Sequence, residues 1–194
     1  MQNPEMKNRS HGFTLVELLV TIAVLGILMA IALPNYQQFI LNTRMTTQAN
    51  EFLTMLNLTR SEAVKRNARV TMCKSSNGTA CVVTALSESP ASWQSGWIVF
   101  VDGATAGIID GTDTILRVQG ALVGGSTLLG NSNVINYVSY VSNGRTQLDN
   151  GGMQGGTFFL CSPDASLSRR KIVLTQSTGR ARVDKAAASA SCTS

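Results

Sequence analysis

The residues able to do chemistry are few, and their spacing narrows what that chemistry is. Glu17 is a carboxylate inside an apolar run, Arg180 and Arg182 stand two apart, and cysteines occupy positions 73, 81, 161 and 192. A carboxylate in an apolar membrane span costs roughly 2.5–3.5 kcal/mol on insertion scales, so it calls for a compensating cation. Two guanidinium forks on one extended segment suit successive phosphates. The sole histidine is His11, within the first dozen residues. Beyond it the chain has no imidazole for a Ser-His-Asp triad, a Cys-His nucleophile or a histidine metal site. Asp102, Asp110 and Asp113 with Gly103 and Gly111 depart from the EF-hand spacing and read as Asp-Gly turns. The glycine-rich stretch from Asp149 to Gly156 lacks a following P-loop lysine and reads as a loop. The expectation is a protein that binds and assembles, with no enzymatic activity, no cofactor and no metal.

These groups must be positioned by 194 residues, of which 14% are charged and 44% hydrophobic, a composition that suits a folded chain with one ordinary core. A polar leader from Met1 to Gly12 carries Lys7 and Arg9, and an apolar run follows from Phe13 to Leu33. As a helix that run reaches ~30 Å, the thickness of a bilayer's hydrocarbon core. The basic leader should stay cytoplasmic and the bulk of the chain should face outward. A secretory signal peptide is the rival reading, with Ala30-Ile31-Ala32 as a small-residue cleavage site. Against it, the run exceeds the usual ~7–15 apolar residues and contains an acid near its start.

Past Pro34 the apolar positions Ala49, Phe52, Leu53, Leu56, Ala63 and Val64 recur mainly at steps of three and four, the pattern of an amphipathic helix. Glu62 and Arg66 can pair on its polar side, and Asn67 is a fitting end. Strands are predicted at Arg69–Cys73, Cys81–Ala85, Trp97–Val101, Thr114–Val118, Asn133–Val141, Thr157–Cys161, Arg170–Leu174 and Arg180–Val183, separated by Gly, Asn, Asp or Ser. No helix-length pattern lies between them, which predicts mainly antiparallel pairing. The fold class is α+β, one long N-terminal helix packed on a β-sheet or sandwich. The predicted organisation is a leader at 1–12, a transmembrane helix at 13–33, its amphipathic continuation at 34–67, and a β-rich domain with a basic tail at 68–194.

Gly12-Phe13-Thr14-Leu15-Val16-Glu17-Leu18-Leu19-Val20 resembles the type IV prepilin signature. That resemblance implies cleavage by a prepilin peptidase after Gly12 and methylation of the new N-terminal Phe13. It makes Glu17 the fifth residue of the mature chain, where pilins carry an acid used in assembly. Leu58 to Asn67, Gly96 to Asp102, Ile115-Leu116-Arg117, Ser142-Asn143-Gly144-Arg145 and Phe159-Leu160-Cys161 resemble, in order, landmarks of the GspH/FimT family of minor pilins and pseudopilins. The implied partners are other pilins or pseudopilins in a filament. The implied location is the bacterial inner membrane, with the domain periplasmic and exposed on the pilus after assembly.

An outward-facing domain lies in an oxidising compartment, so four cysteines favour disulfides. Three pairings exist; Cys73–Cys81, linking neighbouring strands, and Cys161–Cys192, tying down the tail, are preferred. The formal charge of +5 is unevenly spread, +4 in residues 44–74, −4 in 75–164 and +5 in the last thirty, where Arg169, Arg170, Lys171, Arg180, Arg182 and Lys185 face Asp184 alone. An anionic partner or a merely solvated tail both fit that charge. Gly179-Arg180-Ala181-Arg182 resembles the Gly-Arg-x-Arg motif of DNA-binding FimT-type pilins. It implies sequence-independent binding of DNA for natural transformation. The alternative is a pseudopilin of a type II secretion system, which drives protein export and needs no such pair.

Overall fold

The computed structural model describes residues 12–82, 92–103, 105–163 and 169–185. A single helix, α1 (Leu15–Arg66), precedes eight strands: β1 (Val70–Lys74), β2 (Trp97–Val101), β3 (Thr114–Gln119), β4 (Thr127–Gly130), β5 (Tyr137–Tyr140), β6 (Gly156–Cys161), β7 (Arg169–Leu174) and β8 (Ala181–Lys185). The chain divides into two compact units, the first ending at Ile40 and the second beginning at Leu41.

In the first unit, α1 starts behind Thr14, whose Oγ1 accepts a hydrogen bond from the Glu17 amide at 3.2 Å. Thr14 thus serves as an N-cap, and Glu17 stands three residues on, the sequence spacing of a capping box. Leu, Ile, Val and Ala then fill most of the helix, and the Thr21 hydroxyl is turned back to the Leu18 carbonyl at 2.8 Å. Its most apolar 18-residue window has a mean hydropathy of 2.7 and none of it is buried. By length and composition this helix can cross a membrane. The helix continues through position 34, a proline, which has no backbone N–H to donate.

In the second unit the rest of α1 is amphipathic. Met45, Ala49, Phe52, Leu56 and Ala63 are buried and share one core with residues from both sheets. The helix ends at Asn67, the one non-glycine residue with positive φ (52°) among the described residues. Ala68 N–H reaches the Ala63 carbonyl and Asn67 N–H that of Val64, which is the Schellman arrangement. On the polar side, Arg66 Nε sits 2.6 Å from Glu62 Oε2, and this contact holds the Glu62 carboxyl below the usual range.

The strands form two four-stranded antiparallel sheets, β3-β2-β1-β5 and β4-β6-β7-β8. The chain is therefore α+β, with one N-terminal helix and two antiparallel sheets. Strand β2, Trp-Ile-Val-Phe-Val, is covered on both faces, which explains its unbroken apolar run. Trp97 and Val99 join the main core, while Ile98 and Phe100 join Cys73, Cys81, Ile109 and Tyr137 in a smaller one.

Some strand expectations are corrected. Cys81 and Val82 lie outside any strand, and the remainder of the strand predicted at Cys81–Ala85 lies outside the described residues. The run Asn133–Val141 breaks into a 3-10 turn, Ser132–Val134, and the shorter β5; in the turn the Gln154 amide and the Trp93 indole donate to the Asn133 and Val134 carbonyls. Strand β4 was not anticipated. The strand predicted at Arg180–Val183 is present as β8, the edge of the second sheet, shifted so that Gly179 and Arg180 belong to the turn before it.

Candidate functional site

Each basic residue singled out by sequence occupies a defined place. Thr175 to Arg180 is the turn between β7 and β8, closed by Thr175 N–H to Arg180 O (2.9 Å) and Gly179 N–H to Thr175 O (2.8 Å). Gly179 has φ +64°, and a Cβ there would lie 2.7 Å from the Gly144 carbonyl oxygen. Glycine is needed at this position for both reasons. Buried Tyr140, its hydroxyl pushed upward in pKa by desolvation, donates to the Gly179 carbonyl at 3.0 Å. The Ser142-Asn143-Gly144-Arg145 turn and the Gly179-Arg180 turn, distant in sequence, therefore lock together.

The pleat sorts the cations by face. Arg182 stands opposite Val173 and Asp184 opposite Lys171, so these side chains share the outer face of the second sheet. Arg182 Nε is bound by Asp184 at 3.0 Å, which occupies part of its fork. Lys185 has the opposite parity, that of Ala181 and Val183, which pack against the core. Arg170 shares the parity of buried Ile172 and Leu174, and its Nη2 contacts Thr46 Oγ1 of α1 at 3.2 Å. Arg180 and Arg182 are thus brought together, with Lys171 on the same sheet face as Arg182. Arg170 and Lys185 belong to the inner face at the far end of the strands. Arg169, outward by parity, pairs in register with Cys161.

Sequence reasoning about charge missed Arg60. A groove of about 570 Å³ opens between the second half of α1 and the β8 edge, lined by Asn57, Arg60, Thr175, Thr178, Arg180 and Arg182. Arg60 is half-buried over Gly144, where an added Cβ would come within 3.2 Å of its Nε. The signal was present: no acid stands three or four residues from Arg60, whereas Lys65 and Arg66 both reach Glu62.

Elsewhere, Cys73 and Cys81 are joined as a disulfide that fastens β1 to the segment after it. Cys161 is also disulfide-bonded, and Cys192 lies outside the described residues. The Asp110 and Asp113 carboxylates accept N–H groups of their own turn, from Thr112, Asp110 and Gly103. Asp102 is buried, bonded by the Thr71 hydroxyl and Gly107 N–H, and desolvation raises its pKa. These aspartates close a loop. Phe13 and Glu17 are exposed, and the Glu17 side chain makes no ion pair among the described residues.

A family model described as "Type II transport protein GspH" matches residues 48–179, which is most of the chain. This chain belongs to the GspH family. Residues 7–33 match the prokaryotic N-terminal methylation motif, so a type IV pilin-like N-terminus precedes the GspH domain. The type IV minor pilin FimU of Pseudomonas aeruginosa has a similar fold, with a TM-score of 0.54 at 18% identity, covering 76% of this chain and 92% of that one. The type IV major fimbrial protein FimA of Dichelobacter nodosus is 44% identical over 46 residues, 24% of this chain and 30% of its own length. The type IV major alpha-pilin of Moraxella bovis is 50% identical over 44 residues, 23% and 28% respectively. The chain thus matches under a third of the length of these curated relatives. This chain joins its GspH match to an N-terminal helix long and apolar enough to cross a membrane.

Proposed function

We propose that this GspH-family protein is a minor type IV pilin, cut by a prepilin peptidase after Gly12, methylated on Phe13, and assembled with other pilins. In this reading it is held in the inner membrane by its apolar helix, with the domain periplasmic, until it enters the pilus. There it binds DNA for uptake in natural transformation. It is a structural protein with no catalytic step of its own. The observation that carries the pilin reading is Gly12, Phe13 and Glu17 in register at the start of an apolar helix of bilayer length. The arginine groove supports the DNA contact.

With no aromatic side chain among the groove's lining residues, the contact is to phosphates and independent of base sequence. Affinity per subunit should fall in the ~10⁻⁴–10⁻⁶ M range of phosphate-only binding, raised by avidity where several copies are exposed. The second reading, a pseudopilin of a type II secretion system, draws support from the family description and from Asp184, which already engages Arg182. The two separate on one titration of the full chain, in neutral detergent, with duplex DNA at several salt concentrations. Arg180→Gln with Arg182→Gln should lower both affinity and salt slope while the circular dichroism spectrum is unchanged. A double variant that binds as the parent does, or a parent that does not bind, transfers the assignment to the secretion pseudopilin.

A further inference from the structure

We propose that Arg60 of α1 is a phosphate ligand acting jointly with Arg180, so that a nucleic-acid backbone seats in the groove between α1 and β8. This deepens the DNA-binding reading and rests on it. Arg60 and Arg180 come from elements 120 positions apart, yet they line one groove. Among the described residues neither guanidinium has a carboxylate or hydrogen-bond partner, whereas nearby Arg182 has Asp184. Two unpaired guanidinium groups beside each other repel, and an anion placed between them removes that repulsion. The remaining lining groups, the hydroxyls of Thr175 and Thr178 and the amide of Asn57, are neutral hydrogen-bonding groups of the kind that hold phosphate oxygens.

The groove is also held in shape. Arg60 packs over Gly144, Gly144 faces Gly179, and Gly179 is tied to Tyr140, so the two arginines are set by one contact chain. A volume of about 570 Å³ exceeds a lone phosphate and suits a short stretch of sugar-phosphate backbone. Among the described residues no acid lines the groove, and Asp184 engages only Arg182 of its three arginines.

The test titrates the full-length chain in neutral detergent with labelled duplex DNA and with polyglutamate, at several salt concentrations. The variants are Arg60→Gln, Arg60→Lys, Arg180→Gln, the double Arg60→Gln/Arg180→Gln, and Arg117→Gln as a charge control on exposed β3. Losing one phosphate contact should weaken DNA binding roughly tenfold near 0.1 M salt and lower the salt slope by about one. Arg60→Gln should show both effects, Arg60→Lys should keep the slope and lose part of the affinity, and Arg117→Gln should change binding less than twofold. The double variant should lose less than the product of the single losses, because the two arginines share a ligand. Thermal unfolding of Arg60→Gln at the parent's midpoint excludes a folding defect behind its result, and Arg60→Lys carries the test should that midpoint fall. If Arg60→Gln matches Arg117→Gln while the Arg180/Arg182 pair still matters, Arg60 is not a ligand and the DNA reading stands without it. If the parent fails to bind DNA, both readings fall. Polyglutamate bound as tightly as DNA would make the groove a surface for an acidic protein and overturn the phosphate assignment.

Discussion

Phe52→Ala is expected to remove a large fraction of the folding stability of the second unit. Phe52 is 1% exposed and stands where the helix meets both sheets. Its ring makes edge contacts with Trp93 at 5.5 Å, Trp97 at 5.1 Å and Phe158 at 4.8 Å. Truncating a buried phenylalanine costs about 3–5 kcal/mol through lost burial and the cavity left behind. The edge contacts place this site at the upper end. Against a total stability of about 5–15 kcal/mol, that loss is a large fraction. Trp93 and Trp97 are the chain's two tryptophans and both touch the ring, so urea unfolding followed by tryptophan fluorescence reads the change directly. Phe39→Ala is the control, since Phe39 is 64% exposed and belongs to the first unit. It should leave the midpoint where it is. Equal midpoints for the two variants would show that Phe52 is not at the centre of the core.

Glu17→Ala is expected to leave the second unit folded but to reduce incorporation into filaments sharply. The resemblance to pilins pairs this carboxylate with the Phe13 amine of a neighbouring subunit. A charge pair of that kind acts between chains in a low-dielectric setting, so removing one partner strands the other. The capping arrangement offers a competing local role, because Thr14 and Glu17 have the spacing of a capping box. Glu17→Gln separates the two. Glutamine can serve at the third helical position but carries no charge, so it should fail in assembly as alanine does if the inter-subunit pair matters. Normal incorporation of the glutamine variant, with loss only for alanine, would assign Glu17 to capping.

Much of the fold was legible because local chemistry and tertiary structure agree. The helix end at Asn67 follows from a residue that tolerates positive φ, and β2 is the apolar run Trp97–Val101 predicted for it. Strand β4 escaped notice because Thr127–Gly130 is four residues long, follows Gly124-Gly125, and holds one β-branched residue. Its strand character comes from pairing with β6, a tertiary effect. The candidate site was half legible. Two arginines at spacing two suggest one strand face, but Arg180 lies in the turn before β8, and only the register shows that Asp184 shares the face of Arg182 and that Lys185 does not. The lack of an acid partner for Arg60 is legible in the sequence, but its place beside Arg180 is not, because Arg180 arrives from a turn some 120 residues later.

The most direct measurement is the mass and N-terminal sequence of the protein recovered from membranes of cells that make a prepilin peptidase. The account predicts a chain that begins at Phe13 and carries one methyl group on its α-amine. A chain that begins at Leu33, cut after Ala30-Ile31-Ala32, would make the apolar run an ordinary secretory signal and contradict the pilin reading at its root.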